Sequence, residues 1–138
     1  CEIMLDNYVK SVNIEAYTMI SMSRKQIIPS VARFTADVAK QAAEKNALCS
    51  SLNCSYEKNL VEKLSALTDA MDEQTAVLEK DVAELKNISD VKAQSEYVRD
   101  NILKDMEILR KSADEAEVLT DAEYWPFPAY DELLFGVR

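Results

Sequence analysis

The stretch "YEKNLVEKLSALTDAMDEQTAVLEKDVAELKN" (residues 56–87) decides the fold class of this chain. It contains neither Gly nor Pro, and its large apolar residues recur at alternating steps of four and three, with one position skipped. This heptad-like spacing predicts a long helix with one apolar stripe. The stripe residues are Leu60, Leu64, Leu67, Met71, Leu78, Val82 and Leu85.

A second long helix is predicted on the C-terminal side, from about residue 90 to residue 119. The short turn "NISD" separates the two, and Ser89 is a suitable N-cap. Asp100 with Lys104, and Glu107 with Lys111, have the i,i+4 spacing of favourable pairs. Each helix should be roughly 45 Å long, and the short turn forces an antiparallel hairpin. The apolar stripe of this helix is Val91, Val98, Ile102, Leu109, Ala113 and Ala116.

Residues 2–46 on the N-terminal side also have helical spacing, and Pro29 should kink or split that helix near Ile28. In "NIEAYTMISM" (13–22) the apolar residues cover more than one stripe, which indicates burial on more than one face. We therefore expect the surface around Tyr17, Met19 and Met22 to meet another domain or subunit. The segment "ALCSSLNCS" (47–55) forms the connection to the next helix, with Ser55 as its cap.

The chain closes with "YWPFPAYDELLFGVR" (124–138), which holds its one Trp and its one Gly. "TDAE" (120–123) has the capping-box pattern of a short helical turn. The two prolines that follow favour an extended Trp-Pro-Phe-Pro strap, and Pro128 can open a short terminal helix. We expect this tail to be buried, within the bundle or against a neighbouring subunit. The packing or interface candidates here are Trp125, Phe127, Tyr130, Leu133, Leu134 and Phe135.

The predicted fold is therefore all-α: one helical domain, residues 1–138, built as an antiparallel bundle of three to four long helices. A content of one Gly and three Pro argues against a turn-rich β fold. The net charge of −9 disfavours nucleic acid and anionic membranes as partners. No signal peptide or membrane-length apolar run is evident, so we predict a cytoplasmic location and reduced cysteines. Because Cys1 is not Met, a segment of a longer protein is expected.

The sequence offers no recognisable catalytic chemistry. It has no His, which removes the commonest general base and metal ligand. It has no glycine-rich phosphate loop, and the acidic runs "EKDVAE" and "DEAE" fall on hydrophilic faces. Arg24, Lys25 and Arg33 form a basic patch, either for surface salt bridges or for an acidic partner. We predict no catalytic, cofactor-binding or metal-binding residue in this segment.

Three stretches carry a family resemblance: "EIMLDNYVKSVNIEA" (2–16), "RKQIIPSVARFT" (24–35) and "EYWPFPAYDELLF" (123–135). They resemble the C-terminal region of type III glutamine synthetases, the large bacterial form. "SEYVRDNILKDMEILR" (95–110) is the best match in the middle of the chain.

The resemblance implies a parent enzyme, a glutamate–ammonia ligase that uses ATP with Mg or Mn and assembles as a large ring-based oligomer. It implies that the family's nucleotide, metal and glutamate residues lie upstream of this segment. The segment itself would then be a structural or oligomerisation domain, with the upstream catalytic domain and neighbouring subunits as partners. The alternative is an independent cytosolic helical module for protein interaction.

Overall fold

The computed structural model describes residues 2–127, and within this range every regular element is helical. The elements are α1 (Glu2–Met22), α2 (Ile28–Leu48), α3 (Ser55–Leu85), α4 (Val91–Tyr97) and α5 (Leu103–Leu119). A π-helical turn, Ser23–Ile27, joins α1 to α2, and a second one, Val98–Ile102, joins α4 to α5. The all-α prediction is confirmed.

The five helices form three antiparallel rods. The first rod is α1 with α2, the second is α3, and the third is α4 with α5. Lys45 near the end of α2 lies 3.1 Å from Glu57 at the start of α3. Ser23, in the middle of the first rod, contacts Thr75 farther along α3. The first two rods therefore run in opposite directions, and the short turn after α3 returns the third rod alongside them.

The core is built from the predicted stripes. Leu64, Met71 and Leu78 of α3 are completely buried, and Leu67 of the same stripe is half-buried. Val98 and Ile102 of the second π turn are completely buried as well. Each large apolar side chain removed from water contributes about 1.5–3 kcal/mol, so these stripes supply most of the driving force for folding.

Pro29 acts one turn earlier than its own position. The prediction of a split near Ile28 is correct, because α2 begins at Ile28 with the proline in its first turn. A proline ring in a regular helix clashes with the carbonyl four residues earlier. The wider turn Ser23–Ile27 lies just there, and the Ile28 N–H donates to the Ser23 carbonyl across it. The chain therefore continues as a helix through the proline.

The second π turn follows from the spacing of the core residues. Val98, Ile102 and Met106 are separated by two successive steps of four, and all three are buried. Eight residues exceed two α-helical turns by almost one residue. The extra residue is absorbed in Val98–Ile102, which keeps all three side chains on the core face.

The predicted cap of α3 is wrong. Ser55 is the first helical residue, Cys54 occupies the N-cap position, and its side chain makes no capping bond. The Ser55 N–H and hydroxyl both donate to Asn53 Oδ1, at 2.9 and 2.6 Å. The preceding asparagine forms a local turn of the kind Asn favours, and that turn captures the serine hydroxyl.

The predicted cap of the third rod is also displaced by one residue. Asp90, not Ser89, is the N-cap of α4, and its carboxylate accepts a 3.0 Å hydrogen bond from the Ala93 N–H. An aspartate at this position adds a charge interaction with the helix dipole that serine lacks.

The predicted i,i+4 ion pairs of the third rod are absent from residues 2–127. Asp100 lies 3.1 Å from Arg99 Nε instead of pairing with Lys104. The π turn changes the angular spacing at this point, so side chains four apart no longer stand one above the other. Glu107 and Lys111 form no ion pair in the described range either.

The capping box predicted for the tail is wrong as well. Thr120 is the C-cap of α5 rather than the start of a new helix. The Glu123 N–H donates to Asp121 Oδ1 at 2.9 Å, so the aspartate supplies the turn that was assigned to threonine. The predicted terminal helix, with Tyr130, Leu133, Leu134 and Phe135, lies outside the described residues.

Candidate functional site

An apolar groove lies between α1 and α5, with a volume of about 680 Å³. Four of the five methionines of the chain line it: Met19, Met22, Met71 and Met106. We call it the methionine groove. Methionine is unbranched and adapts its shape to a partner, and it is concentrated on surfaces that accept apolar ligands. The groove is therefore the candidate functional site of the described chain.

The floor of the groove is fixed by two buried hydroxyls. Thr75 donates a 2.6 Å hydrogen bond to the Met71 carbonyl. Its hydroxyl has one proton, so in the 2.7 Å contact with Ser23 the serine is the donor. Both residues are almost fully buried. This chain of bonds ties the first π turn to α3 directly beside Met22 and Met71.

The tail forms one end of the groove. After α5 the chain turns, and Tyr124 packs its ring 5.2 Å from that of Phe34 on α2. Its hydroxyl donates to Asp37 at 2.8 Å, and this bond is the main cause that raises the pKa of Tyr124. Trp125 and Phe127 then line the groove, with their ring centres 6.5 Å apart at 76°. Edge-to-face contacts of this kind are favourable for aromatic pairs.

The rim of the groove carries more negative than positive charge. Glu15 of α1 and Asp114 and Glu117 of α5 stand against one cation, Arg110. An apolar ligand with exposed carboxylates facing this rim would be repelled. A ligand that turns its carboxylates away from the rim would not be.

Of the nine predicted packing or interface residues, the structure brings four together. Met19, Met22, Trp125 and Phe127 all line the methionine groove, although the sequence gave no sign that the two groups meet. Tyr17 does not: it is 44% exposed, and its ring lies 5.9 Å from the Lys86 ammonium. Tyr130, Leu133, Leu134 and Phe135 lie outside the described residues.

Two lining residues were missed as site residues. Met71 was assigned only to the core stripe, and Met106 was not singled out at all. A count of methionines per helix provides the available signal, since they fall on three different rods and meet only in the folded bundle.

The predicted basic patch is engaged within the bundle. Arg24 donates to Glu79 of α3 at 2.6 Å, and this bond is the first cause of the raised pKa of Arg24 and the lowered pKa of Glu79. Arg33 donates to the Ser30 hydroxyl at 3.3 Å. Surface pairing therefore accounts for two of the three basic residues.

A buried carboxyl pair lies between α3 and α5. Burial first, and the Asp81 carboxylate second, raise the pKa of Asp105 to about 7. Asp105 is 8% exposed, and its Oδ2 has no hydrogen-bond partner. Tyr97 donates to Asp81 at 3.2 Å, and burial is the main cause that raises the pKa of Tyr97. The sequence gave no signal of this pair, because Asp81 and Asp105 are 24 positions apart on different rods.

Residues 2–127 contain no group of three His, Cys, Asp or Glu side chains arranged to hold a metal ion. Cys49 is exposed and Cys54 is buried, and both are free thiols. None of the helices in this range is both long enough and apolar enough to span a membrane.

Known proteins with similar sequences identify the family. Residues 1–46 match the family described as "Glutamine synthetase C-terminal domain". A glutamine synthetase of Butyrivibrio fibrisolvens is 32% identical over 137 residues, which cover 99% of this chain and 20% of that protein. The chain is a glutamine synthetase C-terminal domain. The resemblance to the type III enzymes is confirmed by a type-3 glutamine synthetase of Dictyostelium discoideum, 21% identical over 142 residues.

This glutamine synthetase C-terminal domain spans about a fifth of the length of the curated relatives it matches. The family match covers α1, the first π turn and most of α2. It therefore includes the Met19 and Met22 side of the methionine groove. The alignment to the Butyrivibrio protein extends over 99% of the chain and takes in the other two rods.

Proposed function

We propose that this chain is a non-catalytic structural domain of a type III glutamine synthetase, which contacts the upstream catalytic domain and neighbouring subunits of a homo-oligomer. The observation that carries the proposal is the alignment of 99% of this chain with only 20% of a glutamine synthetase. Four-fifths of the parent then lies elsewhere and holds the active site.

The parent enzyme would join ammonia to glutamate with ATP and a divalent metal, Mg or Mn, and would be cytoplasmic. The composition of this segment supports a role outside the chemistry. It has no His, and its one Gly leaves no material for a phosphate loop. The acidic balance of the chain would also repel a nucleotide triphosphate.

An exposed apolar stripe on α1 supports contact with another part of the assembly. Ile3 is 73% exposed, Ile14 is 66% exposed and Tyr17 is 44% exposed. At about 100° per residue these three side chains lie within about 60° of one another around the helix. Apolar surface arranged on one face of a helix marks an interaction site. The stripe, with the Tyr17 predicted from the sequence, is the surface we assign to a neighbouring domain or subunit.

The test uses the whole parent enzyme with the double substitution Ile14→Asp and Tyr17→Asp. We expect smaller species by multi-angle light scattering, with each subunit still folded by circular dichroism. Gln41→Asp, at an exposed position of α2, is the control and should leave the oligomer intact. An unchanged oligomer in the double variant would contradict the assembly role.

A second experiment separates structural from catalytic roles. The isolated chain should form no glutamine from glutamate, ammonia and ATP, and should give no heat of binding when titrated with ATP. Tight ATP binding by the chain alone would refute the proposal. Stable folding without any upstream catalytic domain in the native protein would favour the alternative, an independent interaction module.

A further inference from the structure

The methionine groove opens where the described chain ends. Phe127, the last residue described, lines the groove with Trp125. Eleven residues, 128–138, follow it in the sequence. Any segment continuing from Phe127 therefore starts inside the groove.

The direction of the tail also leads into the groove. Tyr124 is held on α2 by Asp37 and Phe34. Trp125 and Phe127 then reach the part of the first rod that precedes Ile27, where Met22 and Met19 lie. The tail thus runs back along the first rod toward its N-terminal end. The next lining residues in that direction are Thr18 and Ile14.

The length of the groove matches the length of the remaining chain. Its lining on α5 extends from Met106 to Glu117, which is about 16 Å of helix. Eleven residues in a helix span about the same distance. The sequence of the segment also has the periodicity of a helix with one apolar face. Those apolar positions are Tyr130, Leu133, Leu134 and Val137.

The charge of the rim sets the orientation. Asp131 and Glu132 would be repelled by Glu15, Asp114 and Glu117 if they faced the groove. In the helical pattern both carboxylates fall on the side away from Leu133 and Leu134. Burying the apolar face therefore keeps the two carboxylates in water.

We propose that residues 128–138 dock in the methionine groove of their own chain, with Leu133 and Leu134 inserted between α1 and α5. The four methionines then serve as adaptable walls for this segment. The docked tail would complete the third layer of apolar contact on α1 that the three rods alone leave open.

Trp125 is the one tryptophan of the chain and lines the groove, so its fluorescence reports on occupancy. The experiment compares the intact chain with a chain truncated after Phe127. We expect truncation to red-shift the emission of Trp125, to lower Tm by several degrees and to increase binding of an apolar dye. A synthetic peptide of residues 128–138 should reverse the shift at one peptide per truncated chain.

Leu133→Asp in the intact chain is the second variant, and Leu133→Met is its control. We expect the aspartate to reproduce the effect of truncation and the methionine to behave like the unmodified chain. Far-UV circular dichroism checks that each variant keeps its helices.

Identical Trp125 emission and Tm in the intact and truncated chains would overturn the proposal. So would an intact chain that sediments as a dimer and becomes monomeric on truncation, because the tail would then occupy the groove of a second copy. Failure of the peptide to bind the truncated chain would overturn it as well.

Discussion

Tyr124 donates a 2.8 Å hydrogen bond to Asp37 across 87 positions of the sequence. This bond joins the segment after α5 to the middle of α2, so the last described residues are part of the bundle and not a frayed end. The ring of Tyr124 packs against Phe34 at the same point. The two contacts are separable by substitution, since the hydroxyl makes one and the ring makes the other.

Tyr124→Phe keeps the ring contact and removes the hydrogen bond. A half-buried bond to a charged acceptor contributes about 1–2 kcal/mol, so we expect the free energy of unfolding to fall by about that amount. Urea unfolding followed by circular dichroism measures it. Tyr56→Phe is the control, because Tyr56 is 72% exposed and its hydroxyl makes no hydrogen bond in the described range. Equal losses in the two variants would contradict the assignment.

Asp105→Asn should change the pH dependence of stability. The folded-state pKa of Asp105 is raised from 3.8 to about 7, first by burial and then by Asp81. Because the folded state holds the proton more tightly, the stabilisation is complete below about pH 4 and is lost as the pH rises through 7. Asn stays neutral throughout. We therefore expect the variant to be more stable than the unmodified chain at pH 8, by about 1–3 kcal/mol, the usual cost of an unpaired buried polar group.

The measurement is the difference in unfolding free energy between the two chains from pH 4 to pH 8. The groups around Asp105 are Asp81, Tyr97, Glu84 and the Gln74 amide, and all of them remain in the variant. Asp114→Asn, on the exposed side of α5, is the control and should give a pH-independent difference. A flat difference for Asp105→Asn would show that its carboxyl titrates normally.

Thr75→Val tests the hydroxyl pair under the methionine groove. The substitution keeps the shape but leaves the buried Ser23 hydroxyl without its acceptor, at a cost of about 1–3 kcal/mol. The double variant Ser23→Ala with Thr75→Val removes both partners and should recover part of that loss. Thermal unfolding of the two variants measures the coupling. Additive losses would mean that the two hydroxyls act independently.

The sequence was sufficient to predict the rods but not their ends or irregularities. The stripe from Leu60 to Leu85 predicted α3 almost to the residue, because the period of its apolar side chains is the same physical cause that buries them. Caps depend on competition between neighbouring polar side chains. Asn53 won over Ser55, and Asp90 won over Ser89, and several residues of one stretch satisfied the same rule.

The methionine groove could not be predicted, for a different reason. Its walls come from separate rods, and helical periodicity describes one helix at a time. Met19 and Met22 stood out because the apolar surface of α1 is wider than one stripe. Their neighbours Met71 and Met106 become visible only when the packing of the three rods is known. The exposed position of Tyr17 likewise depends on where the third rod lies.

The second π turn gives the sharpest prediction about the third rod. A π turn contains one residue more than the α-helical turn it replaces. Deleting Asp100, which is exposed within Val98–Ile102, should convert the turn to regular helix and leave the core residues on both sides in register. We expect a loss of no more than about 1–2 kcal/mol, the range of an ordinary single change.

Deleting Glu107 provides the contrast, because it is equally exposed but lies in the regular helix α5. That deletion rotates everything after it by about 100°, which turns Leu109 and Ala116 out of the core. Since both are buried, the loss should exceed about 4 kcal/mol, a size that follows only from disruption of a core or a buried network. Thermal and urea unfolding of the two deletions give the comparison. If deleting Asp100 proves as damaging as deleting Glu107, the extra residue is not housed in this turn, and the phase argument from Val98, Ile102 and Met106 is wrong.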